Sequence, residues 1–294
     1  MNGKTAPSIF DDDIPRRSEI SVIYRNFIKN KGAVLSCFVL LIIILMAIFA
    51  PFVAPYDPLG QEGMILSKPT KVNLFGTDTL GRDMFSRIIF GARISLSVGF
   101  GSVIISLLIG MVLGLLGGFI GGKVDAVIVM IVDVFMSFPG LLLAMVIAST
   151  LKPTTMNVMI AVGIGEFTMF ARVVRSATLV EKNKGYVLAS HSIGSSQPWI
   201  ILKHIIPNIM PQVIVLATVN IGSAILSAAS LGFLGLGAQP PTPEWGYMVN
   251  VGRDFMQFAP WLTVAPGVSI MVTVLAANIF GDGLSDALDP RLRK

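Results

Sequence analysis

Long apolar runs, separated by polar or glycine- and proline-rich segments, dominate the chain. A helix that crosses the hydrocarbon core of a bilayer needs about 20 mostly apolar residues. Six runs meet this requirement, and we place the spans at residues 33–54, 94–120, 125–150, 156–175, 208–232 and 261–283. The pattern therefore predicts an all-α membrane protein with six transmembrane helices. An even number of spans leaves both termini on the same side of the membrane.

The polar segments between these runs indicate how the rest of the chain is organised. We expect a cytoplasmic N-terminal segment at residues 1–32, a first transmembrane helix with an outer loop at 33–93, a five-helix transmembrane core at 94–284 with a cytosolic loop at 176–207, and a cytoplasmic tail at 285–294. In the first segment, apolar residues at helical spacing predict an amphipathic helix. It would lie on the membrane surface or against protein, and its apolar positions are Ile20, Ile23, Tyr24, Phe27 and Ile28.

Composition and charge agree with a membrane protein and give its orientation. Hydrophobic residues make up 53% of the chain and charged residues only 13%, whereas soluble domains carry about 25% charged residues. Of the 22 lysines and arginines, 15 fall on the side of the two termini and seven on the other side. Because cytoplasmic loops are enriched in these residues, we expect both termini to be cytoplasmic. The sequence has no basic face with stacking aromatic residues, so it does not indicate nucleic-acid binding.

The second span contains a regular series of glycines. Gly110, Gly114, Gly118 and Gly122 recur every four residues, a spacing that predicts a groove in which another helix approaches closely. The same region reads G-x-x-x-x-G-K from Gly117 to Lys123. A phosphate-binding loop would need a preceding strand and a following Ser or Thr, but Val124 follows and the segment lies between two spans. We therefore expect no nucleotide site in this chain.

Acidic residues in spans are costly and often mark transport pathways. Asp125 and Asp133 are eight residues apart and would share one face of the third span, and Glu166 lies in the fourth. We expect Asp125 to cap its helix. Asp133 and Glu166 either line a translocation path or satisfy polar groups between helices. No group of residues has the arrangement of a catalytic site, and two histidines with the single Cys37 are too few for a metal cage or a disulfide.

Two loops differ from ordinary polar connections. The second outer loop, about 233–260, contains the proline-rich stretch 239–246, which excludes a regular helix there. It could line a pore mouth or contact an external partner, or equally act as a rigid plug. The cytosolic loop is apolar at its centre, with Tyr186, Leu188 and Trp199 where water is expected. Gly194 fits a helix stop and Ser196 a following N-cap, so we predict two short helices that enter a protein groove or fold back onto the membrane.

Several segments resemble one family of transporters. Tyr186-Val187-Leu188-Ala189-Ser190-His191-Ser192-Ile193-Gly194, followed by Ile205-Ile206-Pro207, is similar to the coupling loop of ABC importer permeases, with Leu188 in place of a Glu and Ser190 in place of an Ala. The outer stretch Phe75 to Asp83, with Ser86-Arg87 and Gly91 to Leu96, resembles the dipeptide/oligopeptide/nickel permeases. The same permeases are similar to two further stretches, Phe233 to Gly237 and Trp245-Gly246. The C-terminal stretch Gly281 to Arg291 is similar to the C-type subunit of that group.

This resemblance implies a type I ABC importer permease in the bacterial cytoplasmic membrane. The expected partners are a second homologous permease subunit, two cytosolic ATP-binding subunits, an external solute-binding protein and membrane lipid. ATP and Mg would be bound by the ATPases, so this chain would carry no cofactor and no catalytic residue. The resemblance assigns ATPase coupling to Tyr186, Leu188, Ala189, Ser190, Gly194 and Pro207.

The resemblance leaves the cargo open between short peptides and nickel or a metal chelate. Without a cluster of His or Cys in the outer half, we favour peptides. A stand-alone secondary transporter or channel is the alternative from a different class. Such a transporter is expected to have inverted repeats and ion sites at broken helices, and we see no repeat in the sequence. It would also leave the apolar cytosolic loop unexplained.

Overall fold

The computed structural model of the chain describes Arg25, residues 27–61 and residues 63–288. Within these ranges the chain folds into helices, with one isolated β-bridge between Thr77 and Asp83. The helices are α1 (Lys31–Ile48), α2 (Ala50–Val53), α3 (Met84–Ile120), α4 (Gly122–Met136), α5 (Gly140–Thr150), α6 (Thr155–Lys182), α7 (Gly185–Ser192), α8 (Gln197–Ile200), α9 (Ile206–Phe233), α10 (Trp245–Arg253) and α11 (Trp261–Leu288). A π-helical turn, Ile201–Ile205, joins α8 to α9.

The all-helical membrane architecture predicted from the sequence is confirmed. In the described part of the chain, α1, α3, α6, α8 with α9, and α11 are each long and apolar enough to cross a bilayer. A sixth span exists if α4 and α5 are counted as one, but these two helices meet at 86°. The prediction of one continuous helix at 125–150 is therefore wrong. Pro139, the N-cap of α5, ends the helical run because the residue before a proline is disfavoured in helical conformation.

Several span boundaries also differ from those predicted. The second span begins at Met84 rather than at residue 94, because the Asp83 carboxylate accepts a hydrogen bond from the Ser86 N–H and caps α3 there. The fourth span continues beyond residue 175 to Lys182. Arg172 and Arg175, which were counted at the cytoplasmic end of this span, therefore lie well before the end of α6.

The most extensive helix packing among the described residues is the contact of α3 with α6, which follows the predicted glycine series. A Cβ on Gly114 would lie 2.8 Å from both the Ala171 carbonyl oxygen and the Arg175 nitrogen, and a Cβ on Gly118 would lie 2.9 Å from the Arg175 carbonyl oxygen. The missing side chains thus let the two backbones touch, as in small-xxx-small packing. Phe170 and Val174 of α6 are fully buried against this seam.

Gly122 does not belong to the seam, although its spacing predicted that it would. Gly121 and Gly122 have φ of +76° and +57° and form the sharp turn from α3 to α4, and nothing lies within 4 Å of a Cβ on Gly122. The segment from Gly117 to Ile120, which resembles part of a phosphate-binding loop, is the last turn of α3. It therefore follows helix rather than strand.

The start of α1 and the residues just before it pack against the end of α11. The Phe27 and Phe280 rings contact edge to face at 5.7 Å, and a Cβ on Gly283 would overlap the Ala33 Cβ. Ile20, Ile23 and Tyr24, on which the predicted amphipathic helix rests, lie outside the described residues, as does the tail beyond Leu288.

Candidate functional site

The loop that is predicted to be cytosolic forms a helical hairpin, made of α7, a turn and α8, which we call the coupling hairpin (Gly185–Ile200) after its predicted role. Gly194 ends α7 with φ of +84°, a conformation that favours glycine. The Gly194 N–H donates to the His191 carbonyl at 3.0 Å, and the Ser195 N–H donates to the Ser190 carbonyl at 3.2 Å. Two short helices joined at Gly194–Ser196 were predicted, and the structure has them. Ser196 takes the N-cap position of α8, but its side chain makes no capping hydrogen bond.

The hairpin has an inner face that packs on the protein and an outer face that does not. Val187 and Ile200 are buried in a cluster with Val174 of α6 and with Ile209 and Val213 of α9. Ser190 is also buried, so this predicted coupling residue faces the protein itself. The outer face is apolar and exposed, with Leu188 54% and Ile193 83% accessible. It also carries Tyr186, Ala189, Trp199 and Leu202.

Polar contacts hold the base of the hairpin to the end of α6. The Tyr186 hydroxyl donates to the buried Glu181 carboxylate, and Lys184 forms an ion pair with the same carboxylate at 2.7 Å. Burial, with the Glu181 hydrogen bond second, raises the pKa of Tyr186 to about 12. The hydroxyl therefore stays a hydrogen-bond donor at neutral pH.

An aromatic stack links the hairpin to the start of α9. The His204 ring contacts the Tyr186 ring at 5.6 Å and the Trp199 ring at 4.9 Å, both edge to face. His204 lies in the π turn Ile201–Ile205. Pro207, another predicted coupling residue, follows this turn and lacks an N–H, so it cannot give the Lys203 carbonyl an ordinary helical bond. A displacement of the hairpin would thus reach both α6 and α9.

Two ion pairs hold the broken span to α6 inside the membrane region. Arg175 donates to Asp125 through Nη2 at 2.6 Å, and Arg172 donates to Asp133 through Nη2 at 3.0 Å. Asp125 does not cap α4: the N-cap is Gly121, and no side chain caps the helix. The prediction that Asp125 and Asp133 share a face is correct, since both point to α6.

The ion pair between Asp133 and Arg172 is largely exposed. Asp133 lies eleven residues from the start of α4, about 16 Å along the helix axis, and α4 belongs to the broken candidate span. The side chains of Asp133 and Arg172 are both 57% exposed. Because charges exposed to hydrocarbon are costly, this face must be covered by water or by protein.

Glu166 lies between α6 and α9. Its Oε1 accepts hydrogen bonds from the hydroxyls of Ser227 at 3.3 Å and Ser223 at 3.4 Å. Its Oε2 is buried and has no hydrogen-bond partner among the residues that the structure describes. The start of α5 packs beside it, because a Cβ on Gly165 would lie 2.8 Å from the Gly140 carbonyl oxygen. The start of α5, which follows the break in the span, therefore contacts Gly165, the residue before Glu166 in α6.

The sequence reasoning missed the partners of these carboxylates. Arg172 and Arg175 were used only to count cytoplasmic charge, although their separation of three residues places them on one helix face, where they can pair with the carboxylates of a neighbouring helix. Ser223 and Ser227 are four residues apart in an apolar span, which is the spacing of a polar pair facing one neighbour.

The proline loop and the segment before α3, both predicted to lie on the outer side, enclose an open cavity of about 610 Å³. Pro241 and Pro243 line it together with Pro55, Tyr56 and Phe90. The prolines precede α10, which begins at Trp245 within the predicted helix-free stretch. Trp245 is buried, and its Nε1–H donates to the Ile88 carbonyl at 2.9 Å. The loop thus lines a concave outer surface.

Comparison with known families and proteins gives consistent matches. Residues 106–294 match the family described as the binding-protein-dependent transport system inner membrane component. Residues 18–69 match the N-terminal TM domain of oligopeptide transport permease C. The di/tripeptide transport system permease protein DppC of Pseudomonas aeruginosa is 42% identical over 300 residues, which cover 100% of this chain and 99% of that protein.

Two further proteins are similar over most of the chain. The glutathione transport system permease protein GsiD of Shigella flexneri is 47% identical over 272 residues, which cover 92% of this chain and 90% of that protein. A solved structure of the MetNI methionine ABC transporter in an inward-facing conformation matches with a TM-score of 0.56 and 20% identity, covering 70% of this chain and 98% of that chain. The latter match is a likeness of fold.

Proposed function

Because the chain belongs to the inner membrane components of binding-protein-dependent transport systems, we propose that it is the permease subunit of an ATP-driven importer of short peptides. The observation that carries the proposal is the identity of 42–47% over nearly the whole chain to permeases named for di/tripeptide and glutathione transport. These names give no support to the alternative cargo, nickel or a metal chelate. The six candidate spans and the excess of inner lysine and arginine support cytoplasmic termini.

Energy would enter through the coupling hairpin. The chain would contribute no ATP hydrolysis itself, and two cytosolic subunits would bind ATP and Mg. The exposed apolar outer face of the hairpin supports this, since a cytosolic apolar helix face needs a protein groove. Leu188, Ile193 and Trp199 would enter that groove, whereas the buried Ser190 would face the permease itself.

The peptide would pass along the polar groups of the candidate spans. We propose that Asp133 and Glu166 line this path together with a second permease subunit, because a charged pair exposed in a span requires water or protein beside it. An external solute-binding protein would deliver the peptide at the outer cavity beside the proline loop.

The coupling proposal is tested by placing a charge on the hairpin. Burying a leucine side chain fully is worth about 1.5–3 kcal/mol, and Leu188 is 54% exposed, so docking would gain about 1–1.5 kcal/mol there. Leu188→Glu loses this and buries a charge, and we expect it to weaken ATPase association at least about ten-fold. Leu80→Glu is the matched control, because Leu80 is 46% exposed in the outer segment.

The measurement is copurification of the ATPases with the permease pair and peptide-stimulated ATP hydrolysis. We expect Leu188→Glu to lose both and Leu80→Glu to retain ATPase association. Gly194→Pro should act like Leu188→Glu, because proline cannot adopt φ of +84°. Normal ATPase binding by Leu188→Glu and Gly194→Pro would show that the energy does not enter through this hairpin.

A further inference from the structure

The Glu166 carboxylate is incompletely satisfied by its surroundings. Two serine hydroxyls reach Oε1 at 3.3 and 3.4 Å, both longer than an ordinary O–H···O bond. Oε2 is buried without a hydrogen-bond partner in the part of the chain that the structure describes. Buried polar atoms normally have such partners, so this oxygen has an acceptor position that another group is needed to fill.

The described part of this chain does not supply a cation to the site. The salt bridges found there do not include Glu166. The two arginines of the same helix, Arg172 and Arg175, are already paired with Asp133 and Asp125. A carboxylate in a membrane span pairs with a cation or faces a path along which one passes.

The site is open rather than sealed inside the helix bundle. Glu166 is only partly buried, and Ser223, on the facing side of α9, is exposed. The broken span packs beside it at Gly140 and Gly165. A group that enters beside the exposed Ser223 would meet the accessible part of the Glu166 side chain, and a rotation of the carboxyl group would then bring Oε2 to it.

We propose that Glu166, Ser223 and Ser227 form a site for the ammonium group at the amino terminus of the transported peptide. This inference rests on the proposed peptide import and names the part of the cargo that the path recognises. An ammonium group has three donors and no acceptor. Oε2 would accept one donor, and the two serine oxygens, which donate to Oε1, have lone pairs for the others. The bond to the carboxylate is charge-assisted and is the strongest of the three.

The test uses the complete transporter in proteoliposomes, with its ATPases and binding protein. Two cargoes are compared: a dipeptide with a free amino terminus and the same dipeptide acetylated there, whose affinities for the binding protein are measured separately. Glu166→Gln keeps the shape of the side chain and removes its charge. We expect it to slow uptake of the free-amine peptide about ten-fold or more, the loss expected for one charge-assisted hydrogen bond, and to slow the acetylated peptide less than two-fold.

The serines provide matched controls for size and position. Ser223→Ala with Ser227→Ala should reduce uptake of the free-amine peptide by a smaller factor, because the carboxylate remains. Copurification of the two ATPases with the permease pair is measured for each variant, and it shows whether the complex is folded and assembled. If the native complex transports only the peptide with a free amino terminus, the proposal still requires Glu166→Gln to slow the uptake of this peptide.

Three results would overturn the inference. Unchanged uptake by Glu166→Gln would show that the carboxylate does not read the cargo. Equal slowing of both peptides would indicate a structural role or a cation of the second permease subunit as the partner of Glu166. A native complex that transports neither peptide would instead refute the proposed peptide import, and this inference with it.

Discussion

Replacing Gly114 with alanine tests the packing of α3 against α6. The added Cβ would lie 2.6 Å from the Val174 Cβ and 2.8 Å from both the Ala171 carbonyl oxygen and the Arg175 nitrogen. Two of these three atoms are backbone, and the third is fixed to the backbone, so no rotamer change removes the overlap. Ordinary van der Waals contact begins at 3.4 Å. The helices must therefore separate by more than about half an ångström, which also loosens their contacts at Gly110 and Gly118.

The magnitude follows from comparison with a glycine that has room. Overpacking of this kind costs about 1–3 kcal/mol, while alanine gains up to about 1 kcal/mol over glycine in helix propensity. Gly267 of α11 has nothing within 4 Å of a Cβ, so Gly267→Ala has the second effect alone. We expect the two variants to differ by about 1–3 kcal/mol in free energy of unfolding. At about 2–4 °C for each kcal/mol, the unfolding midpoints differ by about 2–12 °C.

The assay is thermal unfolding of the purified protein in lipid nanodiscs, with both variants measured beside the native chain. Gly114→Ala should unfold below Gly267→Ala. Adding Val174→Ala should not restore stability, because the Cβ that Gly114→Ala meets remains. Equal midpoints for Gly114→Ala and Gly267→Ala would refute the close approach of the two backbones.

Three further predictions concern polar groups outside this seam. In a double-mutant cycle with Asp125→Asn and Arg175→Gln, each single change should destabilise the protein by about 1–3 kcal/mol, less than for a fully buried pair because both groups are partly exposed, and a coupling energy near zero would contradict the pair. Tyr186→Phe should remove the tyrosine that titrates near pH 12 in a spectrophotometric titration. The pKa of Tyr186 in the folded protein exceeds the unfolded value of about 10. The stability that this hydroxyl contributes is therefore complete below about pH 10 and is lost as the pH rises to about 12. An unchanged titration curve in Tyr186→Phe would show that another tyrosine has the raised pKa. Glu244→Ala removes the carboxylate that accepts from the Gly246 and Tyr247 N–H groups at 2.8 and 2.7 Å, so hydrogen exchange in α10 should accelerate, whereas unchanged protection would show that this cap is dispensable.

The same buried Glu244 carboxyl responds to pH in a defined direction. Burial raises its pKa, against the two backbone N–H groups that lower it. A raised folded pKa means that folding favours the protonated form, so the contribution of this group to stability falls as pH rises from the unfolded to the folded pKa.

The sequence predicted the number of apolar runs, the hairpin turn and the glycine seam because each is a local pattern. Apolar length identifies a span, positive φ calls for glycine at Gly194, and spacing by four places Gly110, Gly114 and Gly118 on one face. The structure confirms the helical architecture, but Gly122 fails because the turn at Gly121 ends the helix before it.

The remaining features depend on contacts between distant segments, which no local pattern carries. The apolar run continues through Pro139, so hydropathy alone could not predict the 86° bend between α4 and α5. Arg172 and Arg175 extend α6 beyond its apolar run because Asp133 and Asp125 of α4 pair with them. The capping expectation for Asp125 failed for the same reason, since an arginine 50 residues away takes its carboxylate.

The central claim is that this chain provides a path through the membrane while partner subunits provide the energy. The most direct test is uptake of a labelled dipeptide into liposomes that contain either this chain alone or the complete transporter, each with and without ATP. We predict that the peptide accumulates above its external concentration only with the complete transporter and ATP. Uptake of the peptide by this chain alone, with no ATPase present, would contradict the claim.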